Sequence, residues 1–294
     1  MSEKICFILN PISGFFHFRR KKIEKHIQSQ IKKGVVEGDI FYSQYAGHTT
    51  VIAAEAIVAK YDKIVVAGGD GSINEAASAL IHSGIPLGIL PAGSGNGLAR
   101  HLKLPFNIKK AMRVIQQDAI TQIDAMNVNG KYAFSVAGSG MDAQTAQLYK
   151  KFRSRGLITY LYAAVKTYFH FQPETITYQQ DGKTITQQSM LVLLSNSNQF
   201  GYNFRLAPDA NVSDGLVDVV IIPPLKILPI LAAFPAILTG NANKIRSITR
   251  FQCDTLQINR TKENPINIDG DSLECGALIE MKVVKDAVKI IGYN

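Results

Sequence analysis

The sequence has few cysteines and no apolar run long enough to cross a membrane. Its three cysteines are odd in number and share no metal-ligand spacing, so we expect reduced, buried thiols. The longest apolar stretch, 227–239, is about half of the ~20 residues that a bilayer span requires, and two prolines interrupt it. We therefore expect a cytoplasmic protein, with any membrane contact peripheral.

Export signals and nucleic-acid-binding modules are also missing. Lys4 is the only basic residue before the first apolar run, ICFIL, and that run is too short for the core of an export signal. The formal net charge of +9 would suit nucleic acid, an anionic membrane or a phosphate-rich substrate. Because no helix-turn-helix, zinc-finger or RNA-binding pattern accompanies this charge, we expect no nucleic-acid partner.

The hydrophobic patterns predict two domains of different class. In residues 1–123, short apolar runs alternate with amphipathic helical segments, which is typical of a parallel sheet covered by helices. Strands dominate residues 124–294, and the pairs Asn129-Gly130 and Asp181-Gly182 indicate hairpin turns. Helical stretches at about 143–171 and 225–245 interrupt this half. We predict an α/β domain with a parallel sheet, followed by a mostly antiparallel β-sandwich domain.

Three glycine-rich segments directly follow predicted strands of the first domain. They are NPISG at 10–14, GGDGS at 68–72 and PAGSGNG at 91–97. Ligands of such sheets bind beyond the carboxyl ends of the strands, so we expect one shared site. The glycines beside Asp70 leave backbone N–H groups open next to a helix N-terminus, which favours phosphate.

The pair Ser72 and Glu75 leaves a second interpretation open. Its S-x-x-E spacing is that of a capping box, with Ser72 as N-cap and Glu75 at position N3. Capping alone would explain these two residues but not Asp70. Neither the P-loop nor the dinucleotide fingerprint is present, so those motifs cannot indicate ATP.

The glycine-rich segments and their neighbours resemble the diacylglycerol kinase/sphingosine kinase family. The resemblance covers nearly the whole chain and implies an α/β ATP-binding domain and a β-rich lipid-acceptor domain, whose last strand can return to the first. It also implies magnesium-dependent transfer of a phosphoryl group from ATP to a lipid hydroxyl at the inner membrane surface. The matching blocks are NPISG, AGHTTVIAAEA, VVAGGDGSINEAASAL, LPAGSGNGLARHL, VAGSGMDAQTA, RLAPDANVSDGLVDVVII and NIDGD.

The resemblance implies roles for individual residues. Asp70 and Asp271 would be the catalytic carboxylates, although many bacterial relatives have glutamate in place of Asp271. Asp142 matches an aspartate linked with acceptor-lipid recognition, but an aspartate near a helix N-terminus can equally stabilise the helix. A structural magnesium site is implied at Asn211, Asp214 and the carbonyl of Leu216. The implied nucleotide-binding residues are Asn10, Ser13, Gly14, Ser43, Gly68, Gly69, Asp70, Gly71, Ser72, Asn74, Glu75, Ser94, Gly95 and Asn96.

Several alternatives to a diacylglycerol kinase-like activity stay open. The segment LPAGSGNGLA resembles the sphingosine-kinase version of the third loop, so a sphingosine or long-chain-base kinase is one alternative. An NAD kinase would share the GGDG loop, and a non-catalytic nucleotide- or lipid-binding protein could retain it. The aromatic segment 152–171, with Arg153 and Arg155, would suit a membrane-surface entrance for lipid, although core packing explains most of its apolar positions. The sequence leaves a homodimer open.

Overall fold

The computed structural model describes residues 3–11, 17–117, 119–152, 156–200 and 204–292. Ser13, Gly14, Arg153 and Arg155 lie outside the described residues. The chain divides into two compact units, Met1–Ile123 with Asp286–Asn294, and Asp124–Lys285. None of the described helices is long and apolar enough to cross a membrane.

The first unit is built on a parallel sheet, as the sequence predicts. Its strands are β1 (Lys4–Leu9), β2 (Glu37–Tyr42), β3 (Lys63–Gly68) and β4 (Leu87–Pro91), in the order β2-β1-β3-β4. Every residue of β3 and β4 is buried. Both faces of the sheet are therefore covered, which explains why these strands read as continuous apolar runs.

Helices cover the two faces of this sheet. They are α1 (His17–Lys32), α2 (His48–Val58), α3 (Asp70–Ala79), α4 (Gly97–His101) and α5 (Ile108–Gln116). Ile27 of α1 and Ile115 of α5 pack with Phe7 and Leu9 on one face, while α2 and α3 contact the sheet through β1 and β3. Successive β1 side chains alternate between the two faces.

The second unit contains two antiparallel arrangements of strands. The strands are β5 (Ile120–Val128), β6 (Lys131–Ala133), β7 (Val136–Gly140), β8 (Glu174–Gln180), β9 (Lys183–Ser189), β10 (Leu191–Ser195), β11 (Val217–Ile222), β12 (Thr249–Cys253), β13 (Thr255–Arg260), β14 (Ile266–Ile268), β15 (Asp271–Leu273) and β16 (Leu278–Ile291). One sheet has the order β12-β11-β10-β7-β14-β15, and in the other β16, β13, β8 and β9 are neighbours. A shared core includes Val192 and Val219 from one sheet and Ile258 and Met281 from the other. The predicted β-sandwich is thus confirmed.

β16 crosses the division of the chain. It begins in the second unit, and its residues from Asp286 onward belong to the first. There Ile290 pairs in parallel with Leu87 of β4. The first unit is therefore discontinuous in sequence.

The helical predictions for the second half were correct in place but too long. The stretch 143–171 forms two helices, α6 (Met141–Lys150) and α7 (Leu157–His170). Gly156 precedes α7 with φ of 123°, a conformation that no helix accommodates. The stretch 225–245 forms α8 (Ile227–Leu238) and a single 3-10 turn at Ala242–Lys244.

Both predicted hairpin turns are confirmed. Asn129 and Gly130 have φ of 49° and 80°, and Asp181 and Gly182 have φ of 50° and 72°. Two successive positive φ angles are those of the turn type that suits the twist of a two-residue hairpin.

Candidate functional site

The loops after β1, β2, β3 and β4 begin side by side at the carboxyl edge of the first sheet. The N–H of Ser43 donates to the carbonyl of Leu9 at 3.0 Å, and that of Asn10 to Ala67 at 3.1 Å. The N–H of Ala92 donates to Gly68 at 2.9 Å. The parallel order of the strands therefore brings together loops that lie far apart in sequence, as expected from the glycine-rich segments.

The loops after β3 and β4 touch through their glycines. The N–H of Gly93 donates to the carbonyl of Gly68 at 3.2 Å. A Cβ atom on Gly93 would overlap the Cα of Gly69, and one on Gly69 would lie 3.2 Å from the Cα of Gly93. These two positions require glycine because two backbones pass so closely.

Asp70 holds the loop after β4 in place. Its Oδ2 accepts the N–H of Asn96 at 2.8 Å, and its Oδ1 accepts the N–H of Gly97 at 2.7 Å. Asn96 has a left-handed φ of 53°, and its side-chain Oδ1 accepts the N–H of Gly93 at 3.0 Å. The Asp70 carboxylate thus stabilises a strained loop that also carries Ser94 and Gly95.

The capping-box interpretation of Ser72 and Glu75 is wrong. The helix α3 begins at Asp70, with Gly69 as its N-cap, so Ser72 already lies within the first turn. Its Oγ accepts the side-chain N–H of Asn10 at 2.7 Å. Glu75 instead accepts the N–H groups of Gly47 at 2.8 Å and Thr49 at 3.1 Å, because the start of α2 offers unpaired donors next to it.

The start of α3 remains suited to an anion. Gly69 has no side chain with which to cap the helix, and the first N–H groups of a helix have no partner within it. The positive end of the helix dipole adds to this preference for phosphate. Gly71 and Asn74 lie in the first turns of the same helix, and Asn10 and Ser72 join it to the loop after β1.

Arg100 is a residue of this site that sequence reasoning missed. Its Nε donates to the carbonyl of Gly95 at 2.9 Å, and its guanidinium lies over the ring of Phe106, 4.7 Å from the centroid. It therefore brings a cation to the loop that follows β4. The basic pair Arg100-His101, which follows the third glycine-rich segment, is the feature of the sequence that could have identified it.

In the second unit, Asp142 lies buried in the first turn of α6. Its side chain accepts hydrogen bonds from Asn267 at 2.8 Å and from the Tyr160 hydroxyl at 3.3 Å. Burial raises its pKa to about 6, although both hydrogen bonds act in the opposite direction. A Cβ on Gly138 would overlap the Asp142 carboxylate. Gly138, the first glycine of VAGSG, therefore provides the space that Asp142 occupies.

The two aspartates of the NIDGD segment have different environments. Asp269 is buried and accepts the backbone N–H groups of Phe134, Ser135 and Val136 at 2.8, 3.0 and 2.9 Å. It therefore has a structural role between β6 and β7. The side chain of Asp271 is 55% exposed and pairs with Lys150 at 3.0 Å. Of the two, Asp271 is the one whose carboxylate is accessible to solvent.

The loop at 211–216 has hard oxygen atoms of the kind that magnesium prefers. Asn211 Oδ1 accepts the Ser213 N–H at 3.2 Å, and Asp214 Oδ1 accepts the Leu216 N–H at 3.0 Å. Burial raises the pKa of nearby Asp218, and the charges of Asp214 and Asp209 raise it further. A cation would offset this acidic potential. Among the described residues no group of three His, Cys, Asp or Glu side chains could hold a metal, so magnesium here would need carbonyl and water ligands.

Comparison with protein families covers both units. A family model described as the diacylglycerol kinase catalytic domain matches residues 4–128, and one described as the YegS C-terminal NAD kinase beta sandwich-like domain matches residues 135–292. The chain belongs to the diacylglycerol kinase family of lipid kinases. The family predicted from the glycine-rich segments is thereby confirmed.

Individual members of the diacylglycerol kinase family align along most of the chain. A diacylglycerol kinase of Bacillus subtilis (strain 168) is 28% identical over 92% of this chain and 90% of its own. One from Staphylococcus carnosus (strain TM300) is 25% identical over 92% and 89%. The crystal structure of a diacylglycerol kinase from Bacillus anthracis str. Sterne has a TM-score of 0.80 at 22% identity, covering 99% of this chain and 97% of the other. That structure supports the fold.

Proposed function

We propose that this chain transfers the terminal phosphoryl group of ATP to the hydroxyl of diacylglycerol or a related lipid, with magnesium. The observation that carries the proposal is the contact between the loops after β3 and β4 at the uncapped start of α3. This contact lies within the part of the chain that matches the diacylglycerol kinase catalytic domain. For the same reason we favour a lipid acceptor over NAD, and turnover over simple binding.

The first unit would bind the nucleotide. The N–H groups at the start of α3 would hold its phosphates, and Asn10 and Ser72 would contact them from one side. The loop with Ser94, Gly95 and Asn96 would close from the other, oriented by Asp70. Phosphoryl transfer depends mostly on such positioning and on neutralising charge. From the sequence we expect Ser13, Gly14 and Ser43 to contribute to the nucleotide site as well, and Ser13 and Gly14 lie outside the described residues.

Magnesium ions would neutralise negative charge in two places. One is at the nucleotide phosphates, and the other is at the loop that contains Asn211, Asp214 and Leu216. This loop fits the ion through its amide, carboxylate and carbonyl oxygens. There the Asp214 carboxylate would balance part of the charge of the ion. The ion would in turn reduce the repulsion between Asp218 and its acidic neighbours Asp214 and Asp209. This second site would order the loop before β11.

We assign the proton transfer to Asp271 and the positioning of the loop to Asp70. Both Asp70 oxygens accept backbone N–H groups of the loop after β4, so this carboxylate is already engaged in positioning that loop. Asp271 is exposed and has Lys150 at 3.0 Å. Asp271→Asn should lower kcat about 100-fold or more with little change in ATP affinity, since a general base contributes about that much.

Asp70→Asn distinguishes the positioning of the loop from the proton transfer. It should weaken ATP binding and loosen residues 93–97, because an amide cannot accept both N–H groups equally well. Equilibrium binding of a non-hydrolysable ATP analogue measures the affinity, and single-turnover kinetics measure the transfer. If Asp271→Asn kept full kcat, the base would have to be another residue.

The buried Asp142 supports a second candidate acceptor. With a pKa of about 6, this carboxylate is mostly ionised at neutral pH and would complement the ammonium group of a long-chain base. Diacylglycerol has no such group. A panel of diacylglycerol, monoacylglycerol and sphingoid bases in mixed micelles, with labelled ATP and mass spectrometry of the product, decides between them. Absence of magnesium-dependent product with every lipid would overturn the proposed kinase reaction.

We also propose peripheral contact with the inner membrane surface, from the cytoplasm that supplies ATP. Apolar and aromatic side chains of α7 are exposed: Ile158 by 85%, Tyr162 by 56%, Val165 by 52% and Phe169 by 69%. This agrees with a lipid entrance at the segment 152–171. Flotation of the protein with anionic vesicles tests the contact.

A further inference from the structure

The helix α8 has an unusual distribution of apolar residues. Its sequence, ILPILAAFPAIL, contains no charged or polar side chain, and every one of its residues is at least partly exposed. A helix that is apolar all round is normally buried in a protein core or in a membrane. The exposed apolar surface of α8 is therefore suited to contact with an apolar partner.

The exposed leucines of α8 form one stripe. Leu228 is 74% exposed, Leu231 60% and Leu238 36%, and Pro235 between the last two is exposed as well. Their spacing of three or four residues places them on one side of the helix. The opposite side faces the protein.

The protein-facing side of α8 is anchored by packing. The ring of Phe234 lies edge-on to that of Phe204, with centroids 5.4 Å apart. Ile237 packs against a buried cluster that includes Leu193 and Val220. The helix is thus held in place while its apolar stripe points outward, which is the reverse of an ordinary surface helix.

The charges around α8 identify the partner. Residues 219–253 contain no aspartate or glutamate, while Lys226 before the helix and Lys244 and Arg246 after it are exposed. Arg250 is not counted, since it donates to the carbonyls of Ala242 and Ile245 and lies near Asp209. An apolar stripe with cations at both ends matches an anionic bilayer, whose acyl chains lie beneath a layer of phosphates.

The start of α8 is also joined to α7. The hydroxyl of Tyr168 donates to the carbonyl of Leu225 at 3.1 Å, one residue before Lys226. The segment that leads into α8 thus contacts the helix that we assign to lipid entry. This continuity favours a lipid surface over a separate protein partner.

We propose that α8 lies in the plane of an anionic bilayer, with Leu228 and Leu231 inserted among the acyl chains and Lys226, Lys244 and Arg246 at the headgroups. The inference rests on the proposed lipid kinase function, because it names the surface on which that reaction takes place. It adds a second membrane contact, distinct from α7.

Tryptophan fluorescence tests the insertion directly, since the chain contains no tryptophan. In Leu231→Trp, the emission should shift to shorter wavelength when vesicles containing phosphatidylglycerol are added, and lipids brominated on the acyl chains should quench it. The matched control is Val58→Trp in α2, where the native side chain is 83% exposed on the first unit. Its emission should not change with vesicles.

Vesicle binding gives the energetic test. Leu231→Asp should weaken binding to these vesicles by about tenfold or more, because one buried leucine contributes at least that factor. Val58→Asp should bind as the parent does. An unchanged emission of Leu231→Trp on vesicles, or unchanged binding of Leu231→Asp, would overturn the proposal. So would a blue shift in buffer that grows with protein concentration, since a second copy would then cover the stripe.

A short-chain acceptor dispersed as monomers separates this inference from the proposed function. Leu231→Asp should phosphorylate such a diacylglycerol at the parent rate but lose activity on vesicle-embedded diacylglycerol. If the parent phosphorylated neither acceptor, the proposed function would fail. The fluorescence result would still decide whether α8 enters the bilayer.

Discussion

Carboxylates that resemble one another in sequence have different functions in this chain. Asp70, Glu75 and Asp269 each accept two or three backbone N–H groups and thereby hold loops and helix ends in place. Asp271 is exposed beside Lys150. Asp142 is buried, and this burial raises its pKa. The chemical role of each aspartate therefore depends on which backbone donors the fold places near it.

Gly93 should be essential to the proposed phosphate site. A Cβ at this position overlaps backbone, which cannot rotate away as a side chain can. Gly93→Ala should separate the loops after β3 and β4 and lower kcat/KM by about 100-fold, as expected for a displacement of about 1 Å. The control is Gly276→Ala, where the added Cβ meets no neighbour. Equal activity of both variants would contradict the role of this contact.

Asp142 should make stability depend on pH. Its pKa of about 6 lies above the ordinary value of 3.8, so the protonated form is preferred in the folded state. The resulting stabilisation is fully present below pH 3.8 and is lost as the pH rises to about 6. Between pH 5 and pH 8, the ionisation of Asp142 should lower the free energy of unfolding by about 1 kcal/mol.

Urea unfolding of the parent and Asp142→Asn measures this effect. The variant lacks the titrating group, so its stability relative to the parent should increase between pH 5 and pH 8. Asp181→Asn, in an exposed turn, controls for the loss of one charge. A difference between Asp142→Asn and the parent that does not vary with pH would mean that burial does not raise the pKa of Asp142.

At the scale of elements, short sequence patterns predicted the features that depend only on neighbouring residues. The Asn-Gly and Asp-Gly pairs predicted their hairpins because the turn needs only those two residues in left-handed backbone. The S-x-x-E pattern failed because Glu75 has a competing set of donors in α2, 26 and 28 residues away. The break at Gly156 was missed because helical segments lie on both sides of it, one ending at Lys150 and the next beginning at Leu157.

Glu75 should stabilise the start of α2 from outside that helix. Glu75→Ala leaves the N–H groups of Gly47 and Thr49 without their acceptor and should lower the free energy of unfolding by about 1–2 kcal/mol. Hydrogen exchange should speed up in the first turn of α2. The control is Glu55→Ala, an exposed site in the same helix. Equal stability of the two variants would show that this hydrogen bonding contributes little.

At the scale of the whole molecule, contacts between distant residues could be predicted only where the strand topology follows a general rule. The phosphate loops could be grouped from sequence, because parallel strands place their carboxyl ends at one edge. The partners of Asp142 could not, since Asn267 lies 125 residues away and nothing in the NIDGD segment indicates a contact with Asp142. The metal-binding and catalytic assignments of the second unit stay predictions, because they depend on ligands and on substrate.

The two segments of β16 should stabilise different units. Ile290 is buried in the first unit beside β4, whereas Ile279 pairs with Ile258 in the core of the second. Ile290→Ala should therefore speed hydrogen exchange in β4, and Ile279→Ala should speed it in β13, each with a loss of about 2–5 kcal/mol. Each variant serves as the matched control for the other, because both shorten an isoleucine in one strand. If either substitution accelerated exchange equally in β4 and β13, the two units would unfold as one, and the discontinuous first unit would not be a separate cooperative body.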